Sequence, residues 1–165
     1  MQHSVLSVAQ VPAHAPDPVA VLRAGLGAGP FALVIVFMSP EADLPALARA
    51  LPAGFGATPV IGCTTAGEIT TDGYDEGMIV AAALPARHFA ATTLLVEDLG
   101  AFDAQSVIGD VIRARGGMAR AHPDWEHEFA FLMIDGLSTM EDALTSVLAP
   151  GLGAIPLFGG SAADG

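Results

Sequence analysis

The clearest signal along the chain is the alternation of short apolar runs with amphipathic stretches. Ser4 to Val11 alternates apolar and polar residues and predicts a first strand. Asp17-Pro18 predicts a helix start, with Asp as N-cap and Pro in the first turn. That helix carries Val19, Val21, Leu22 and Leu26, and Gly25, Gly27 and Gly29 weaken and end it. Phe31 to Met38 is unbroken apolar sequence, the pattern of a strand buried on both faces and covered by helices. Ser39-Pro40 predicts the cap of a helix from Glu41 to Leu51, with Leu44, Leu47, Ala48 and Leu51 on its inner side. Gly54 and Gly56 end it, and Thr58 to Thr64 is another strand.

The middle of the chain changes pattern. Glu68 to Tyr74, Met78 to Leu84 and Phe89 to Asp98 predict three consecutive strands, with Asp72-Gly73, Glu76-Gly77 and Pro85-Ala86-Arg87 as turns. Short turns between consecutive strands imply an antiparallel meander. Asp103 to Arg115 predicts a helix stopped by Gly116-Gly117, with Val107, Ile108, Val111 and Ile112 buried. An acidic loop, His122 to Glu128, holds the only Trp. A strand over Glu128 to Asp135, a helix over Ser138 to Pro150 and a strand over Ile155 to Phe158 complete the chain. Ser138-Thr139-Met140-Glu141 has the form of a capping box. The expected fold is one α/β domain over 1–165: a mixed sheet with helices packed on it, and a central antiparallel meander.

The strand–helix–strand unit at 31–68 recurs at 129–165. At an offset of 97, nine of the 21 positions from 46 to 66 are identical, among them Gly54, Gly56, Pro59 and Gly62 against Gly151, Gly153, Pro156 and Gly159. Thr64 faces Ser161. A period of this length means a duplicated unit, not a solenoid. Both copies end beyond a buried strand, in Gly62-Cys63-Thr64-Thr65-Ala66-Gly67-Glu68 and in Gly159-Gly160-Ser161-Ala162-Ala163-Asp164-Gly165. Ligands of open α/β sheets bind at such carboxyl ends. Small residues let backbone amides approach a ligand, hydroxyls add oriented donors, and Glu68 or Asp164 could receive an ammonium group. A tight, unoccupied turn is the alternative.

Composition narrows the function classes. Hydrophobic residues make up 52% and charged residues 15%, which suggests a face that something else covers. There are 18 acidic residues, six Arg and no Lys, a formal net charge of −12. Such a surface repels nucleic acid and anionic membrane. With no Lys, no phosphate-binding Gly-x-x-x-x-Gly-Lys motif exists. The lone Cys63 cannot form an internal disulfide, no signal peptide is visible, and the longest strictly apolar run is eight residues where a span needs about 20. The expectation is a cytoplasmic protein.

Cys63 could serve as a nucleophile, which would make the chain an enzyme, or be a small core residue. No second catalytic group can be named, so the expected protein is not an enzyme. His3, His14, His88, His122 and His127 could ligate a non-covalent haem. His122 and His127, beside Asp124, Glu126 and Glu128, form at most a loose metal site. Asp135-Gly136, after a strand, is either a ligand contact or a turn.

Val60-Ile61-Gly62-Cys63-Thr64-Thr65-Ala66-Gly67-Glu68-Ile69 and Leu157-Phe158-Gly159-Gly160-Ser161-Ala162-Ala163-Asp164 resemble the two signatures of the FIST sensory domain, N-terminal part; Ala163 stands where Gly is usual. The resemblance implies a signal-input module of bacterial or eukaryotic type that binds a small metabolite such as an amino acid. The ligand site expected comprises Gly62, Cys63, Thr64, Thr65, Gly67, Glu68, Gly160, Ser161 and Asp164 of the two motifs, whose loops form one rim, and Asp135 from its position after a strand. The resemblance also implies a C-terminal half after Gly165. Some members of the family bind haem, sense nitric oxide and regulate a histidine kinase. The partners expected are a small-molecule ligand, that C-terminal half, a signalling output such as a histidine kinase and, through a bare apolar face, a second copy.

Overall fold

The computed structural model describes residues 5–71 and 73–162. The fold is mixed α/β, with four helices among the described residues. The chain separates into two compact units, a first that ends at Ala91 and a second over Thr92–Ala162.

The first unit holds β1 (Ser7–Pro12), α1 (Pro18–Leu26), β2 (Phe31–Met38), α2 (Leu44–Phe55), β3 (Val60–Thr64), β4 (Glu68–Thr70), β5 (Gly73–Asp75) and β6 (Met78–Pro85). Its main sheet runs β1-β6-β2-β3. β6 is antiparallel to both β1 and β2, while β2 and β3 are parallel and joined through α2. Val34 and Val36 on β2, Ile79, Ala81 and Ala83 on β6, and Val11 on β1 point to one face. There they pack against Val19, Leu22 and Leu26 of α1 and Leu47 and Leu51 of α2, so both helices cover the same side. Ile35 and Phe37, of the opposite parity, are only half-buried. Within the first unit α1 and α2 cover the face carrying Val34 and Val36; on the opposite parity Leu33, Val80 and Leu84 are buried as well.

The second unit holds α3 (Ala104–Ala121), β7 (Ala130–Asp135), α4 (Glu141–Leu152) and β8 (Leu157–Ala162). β7 and β8 are parallel. Val107 of α3, Ile134 of β7 and Leu144 of α4 form its core, with Leu132, Val147 and Leu148 packed around them.

The repeat is structural. α2 and α4 both have 12 residues and start 97 positions apart. Each ends on a glycine of the same geometry, Gly56 at φ 60° and ψ −120°, Gly153 at φ 63° and ψ −123°. Their amides donate to Pro52 O and Ala149 O, both at 2.9 Å. The preceding strands differ by one residue in register: Val34 lies opposite Val60, but Ala130 opposite Leu157. Each second strand then has a glycine where it meets the first. A Cβ on Gly62 would sit 2.6 Å from Val36 O, and one on Gly159 would overlap Leu132 O. Gly159 also has φ +143°, a conformation that L side chains rarely adopt.

Four expectations are corrected. Phe89 to Asp98 forms no strand; β1 and β2 occupy both edges of β6, so the meander cannot continue by pairing the next segment with β6. Leu94 and Leu95 are accordingly 51% and 83% exposed. The meander is thus a β4–β5 ribbon plus a separate antiparallel β6. α2 starts at Leu44, not Glu41, since Asp43 caps it through Ala46 N (3.0 Å) with Pro45 in the first turn; Ser39 Oγ instead accepts from Glu41 N. α3 runs through Gly116-Gly117 to Ala121. Arg115 anchors it, its guanidinium donating to Gly151 O (3.0 Å) and pairing with Glu128, which offsets the roughly 1 kcal/mol each helical Gly costs. Finally, the capping box at Ser138 does not form: α4 starts at Glu141 behind Met140, and Ser138 Oγ serves Asp135 O and Met140 N. By contrast Asp17 and Asp103 cap α1 and α3 as their sequences predict.

The close approach gives a paired prediction. Gly159→Ala should lower unfolding free energy by about 2 kcal/mol or more, from backbone strain plus overlap with Leu132 O. Gly160→Ala, where nothing lies within 4 Å, should stay within about 0.5 kcal/mol of wild type. Urea denaturation of both variants measures the contrast.

Candidate functional site

In the first unit the carboxyl ends of β2 and β3 come level where Met38 faces Thr64. Thr65 N closes the end by donating to Met38 O at 3.0 Å. Cys63, half-buried opposite Phe37, is the only cysteine in the chain and makes no disulfide. The next turn is held from inside. Glu68 is 2% exposed. Its Oε1 accepts from the Thr65 hydroxyl at 2.7 Å, and its Oε2 accepts from Met78 N at 3.1 Å. A buried carboxylate is stable only when its oxygens are occupied, and here the occupants are the loop and the first residue of β6. Glu68 therefore joins the motif loop to the sheet.

Gly67 lies directly beneath Tyr74, whose hydroxyl end fills the space a Cβ would need. Although Tyr74 is 69% exposed as a residue, its hydroxyl rests against the loop and donates to Glu76 Oε1 at 3.4 Å. Its pKa is raised above 10.0, first by desolvation, then by the charge and hydrogen bond of Glu76, then by the charge of Glu68. Tyr74 reaches this place because β4 and β5 pair with Ile69 opposite Tyr74.

In the second unit the equivalent strand ends bring together Asp135, Gly136, Ser138, Glu141 and Ser161. Gly136 N donates to Ala162 O at 2.7 Å. Asp135 Oδ1 accepts from Leu137 N at 2.9 Å, so this carboxylate shapes the turn. Thr139 takes a left-handed φ of 55° just before α4. Glu141, in the first turn of α4, accepts from Ser161 Oγ at 2.8 Å. Its pKa is lowered below 4.5, first by its own backbone N–H, then by the Ser161 hydroxyl, with slight desolvation opposing. Gly160 stands beside Ser161 with open space over its α-carbon.

The residues expected at the site thus fall in two places. Gly62, Cys63, Thr64, Thr65, Gly67 and Glu68 gather at the first strand pair, and Asp135, Gly160 and Ser161 at the second. Asp164 and the candidate haem ligand His3 lie outside the described residues. Sequence reasoning missed Tyr74 and read Glu141 as a helix cap. The only signals were the aromatic in a polar turn and an acid at a helix start on a strand's carboxyl side. The histidines are dispersed: His14 sits 3.4 Å from Glu41, His88 N closes a turn on Pro85 O, and the His122 ring lies 4.7 Å from that of Trp125. Among the described residues no group of three or more His, Cys, Asp or Glu side chains could hold a metal ion.

A family model described as FIST N domain matches residues 32–165. No curated protein and no solved structure matches the chain.

The hydrogen bonds make two predictions. Glu68→Ala should cost about 2 kcal/mol or more, because it orphans the Met78 amide and the Thr65 hydroxyl; Glu68→Gln, which retains an acceptor, should cost less, both read by urea denaturation. Ser161→Ala should raise the Glu141 pKa toward 4.5, seen in a carboxyl-carbon NMR titration. A carboxylate with a depressed folded pKa stabilises above its unfolded value and loses that contribution as pH falls through the folded one. The variant should therefore lose less stability than wild type below about pH 4.5.

Proposed function

This chain belongs to the FIST N domain family, a family of sensory domains, and from that premise we propose that it is the input module of a cytoplasmic signalling protein. It receives a small metabolite with a charged amino group, an amino acid being the simplest. The observation that carries this reading is the second unit's strand ends, where a partly buried acid, an exposed hydroxyl and an unobstructed glycine stand together at the carboxyl side of two parallel strands.

The roles follow from chemistry. Glu141 is held ionised by a backbone amide and the Ser161 hydroxyl, which suits it to receive an ammonium group. Gly160 offers backbone with no side chain in the way. Asp135 and Glu68 are engaged with amides of their own loops, so they act as supports and not as ligand contacts. At the first strand pair Tyr74 adds an aromatic surface over the motif loop. Nothing in this arrangement calls for a nucleophile, and the reading is of a binding module whose output passes to a partner such as a histidine kinase. No helix among the described residues is long and apolar enough to cross a membrane.

The test is calorimetric titration of the chain with each common amino acid. One of them is expected to bind, with affinity about ten-fold lower in Ser161→Ala and lower still in Glu141→Gln. Unchanged affinity in both variants would remove the assignment.

A further inference from the structure

A second feature of the first unit lies at the opposite end of its sheet from the motif loop. The last turn of α1, the segment 27–30, the start of β2 and the end of α2 line an open cleft of about 480 Å³, most of whose lining residues are exposed. That is within the range of small-molecule sites, about 300–1,000 Å³. Its walls are small or apolar: Ala20 and Ala24 on one side, Gly54 and Phe55 on the other, Phe31 at the base. The Phe31 ring is packed down on Gly29, 3.4 Å from where that residue's Cβ would be. α1 and α2 cross closely here, because a Cβ on Gly54 would overlap Val19.

The charge of the cleft is unusual for this chain. Overall there are 18 acidic residues and six basic ones, yet the only charged side chain lining the cleft is Arg23, and no acid lines it. Arg23 makes no ion pair with any described residue. Its stem passes over Gly54, with Cδ 3.6 Å from the position a Cβ would take there. Both helices present their C-terminal ends, with partial negative charge, to this region. Anion binding therefore depends wholly on Arg23.

We propose that this cleft binds a small monocarboxylate with an apolar body, the carboxylate on the Arg23 guanidinium and the body against Phe31 and Phe55. A planar guanidinium bonds a carboxylate in two parallel hydrogen bonds, and the two rings supply the apolar surface. The site is separate from the strand-end loops and needs none of their residues.

The experiment titrates 3-phenylpropionate into the chain at concentrations to about 1 mM, followed by amide NMR, with 3-phenylpropionamide as the uncharged control. The expected result is saturable shifts at Phe31, Phe55 and Thr58 for the acid, with at least ten-fold weaker binding of the amide. Arg23→Gln, at an exposed position, should weaken the acid at least ten-fold, and so should Ala24→Trp, which fills the cleft; Ser161→Ala should not change it. Absence of shifts, equal binding of acid and amide, or unchanged binding in Arg23→Gln would overturn the proposal and leave Arg23 as the counter-charge to the α1 terminus.

Discussion

Everything at the two candidate loops depends on how closely two parallel strands can approach. In each repeat one glycine of the second strand lies against a carbonyl of the first: Gly62 against Val36 O, Gly159 against Leu132 O. Any side chain there would push the second strand away from its neighbour. The strand end after it would then lose its register with the first strand's carboxyl end. The hydrogen bonds Thr65 N to Met38 O and Gly136 N to Ala162 O close those ends only because the strands are in contact. The glycine is an architectural constraint first, and the small-residue strand end beyond it inherits its position from that constraint.

From this common frame the two copies diverge in where they put negative charge. The first copy buries it: Glu68 is enclosed, and both its oxygens are spent on holding the turn to β6. The second copy leaves it nearer solvent, on Glu141, where one neutral hydroxyl and a backbone amide keep it ionised. A carboxylate used as a tie and one held ready at the surface are different tools. The divergence leaves the carboxylate of one strand end enclosed beside Tyr74 and that of the other nearer solvent.

The repeat and its helix boundaries to within a few residues were legible in the sequence, because Gly, Pro and apolar spacing report backbone geometry directly. Asp17 and Asp103 read correctly as caps for the same reason: the cap is a local interaction. What failed was non-local. Phe89 to Asp98 has strand composition, but a strand also needs a free edge, and the insertion of β6 between β1 and β2 is invisible in residues 89–98 themselves. Gly116-Gly117 reads as a stop until Arg115 is seen to bond Gly151 O from another helix. At the site, the chemical types were legible and their engagement was not. Glu68 in a motif predicts a ligand contact; its burial and its two donors come from the chain's return ten residues later.

Charge then separates the two ends of the first unit's sheet. At the motif end, Glu68, Glu76 and the raised Tyr74 hydroxyl make an environment that a cation would favour and an anion would not. At the other end Arg23 is the one charged side chain among the apolar and small residues that line the cleft. A chain with a net charge of −12 repels anions over most of its surface, so a guanidinium lining a cleft with no ion-pair partner among the described residues is a strong local exception. The two ends of the same sheet thus differ in the sign of their local charge. Neither end borrows residues from the other, since α1 and α2 frame one and the turns after β3 and β5 frame the opposite one.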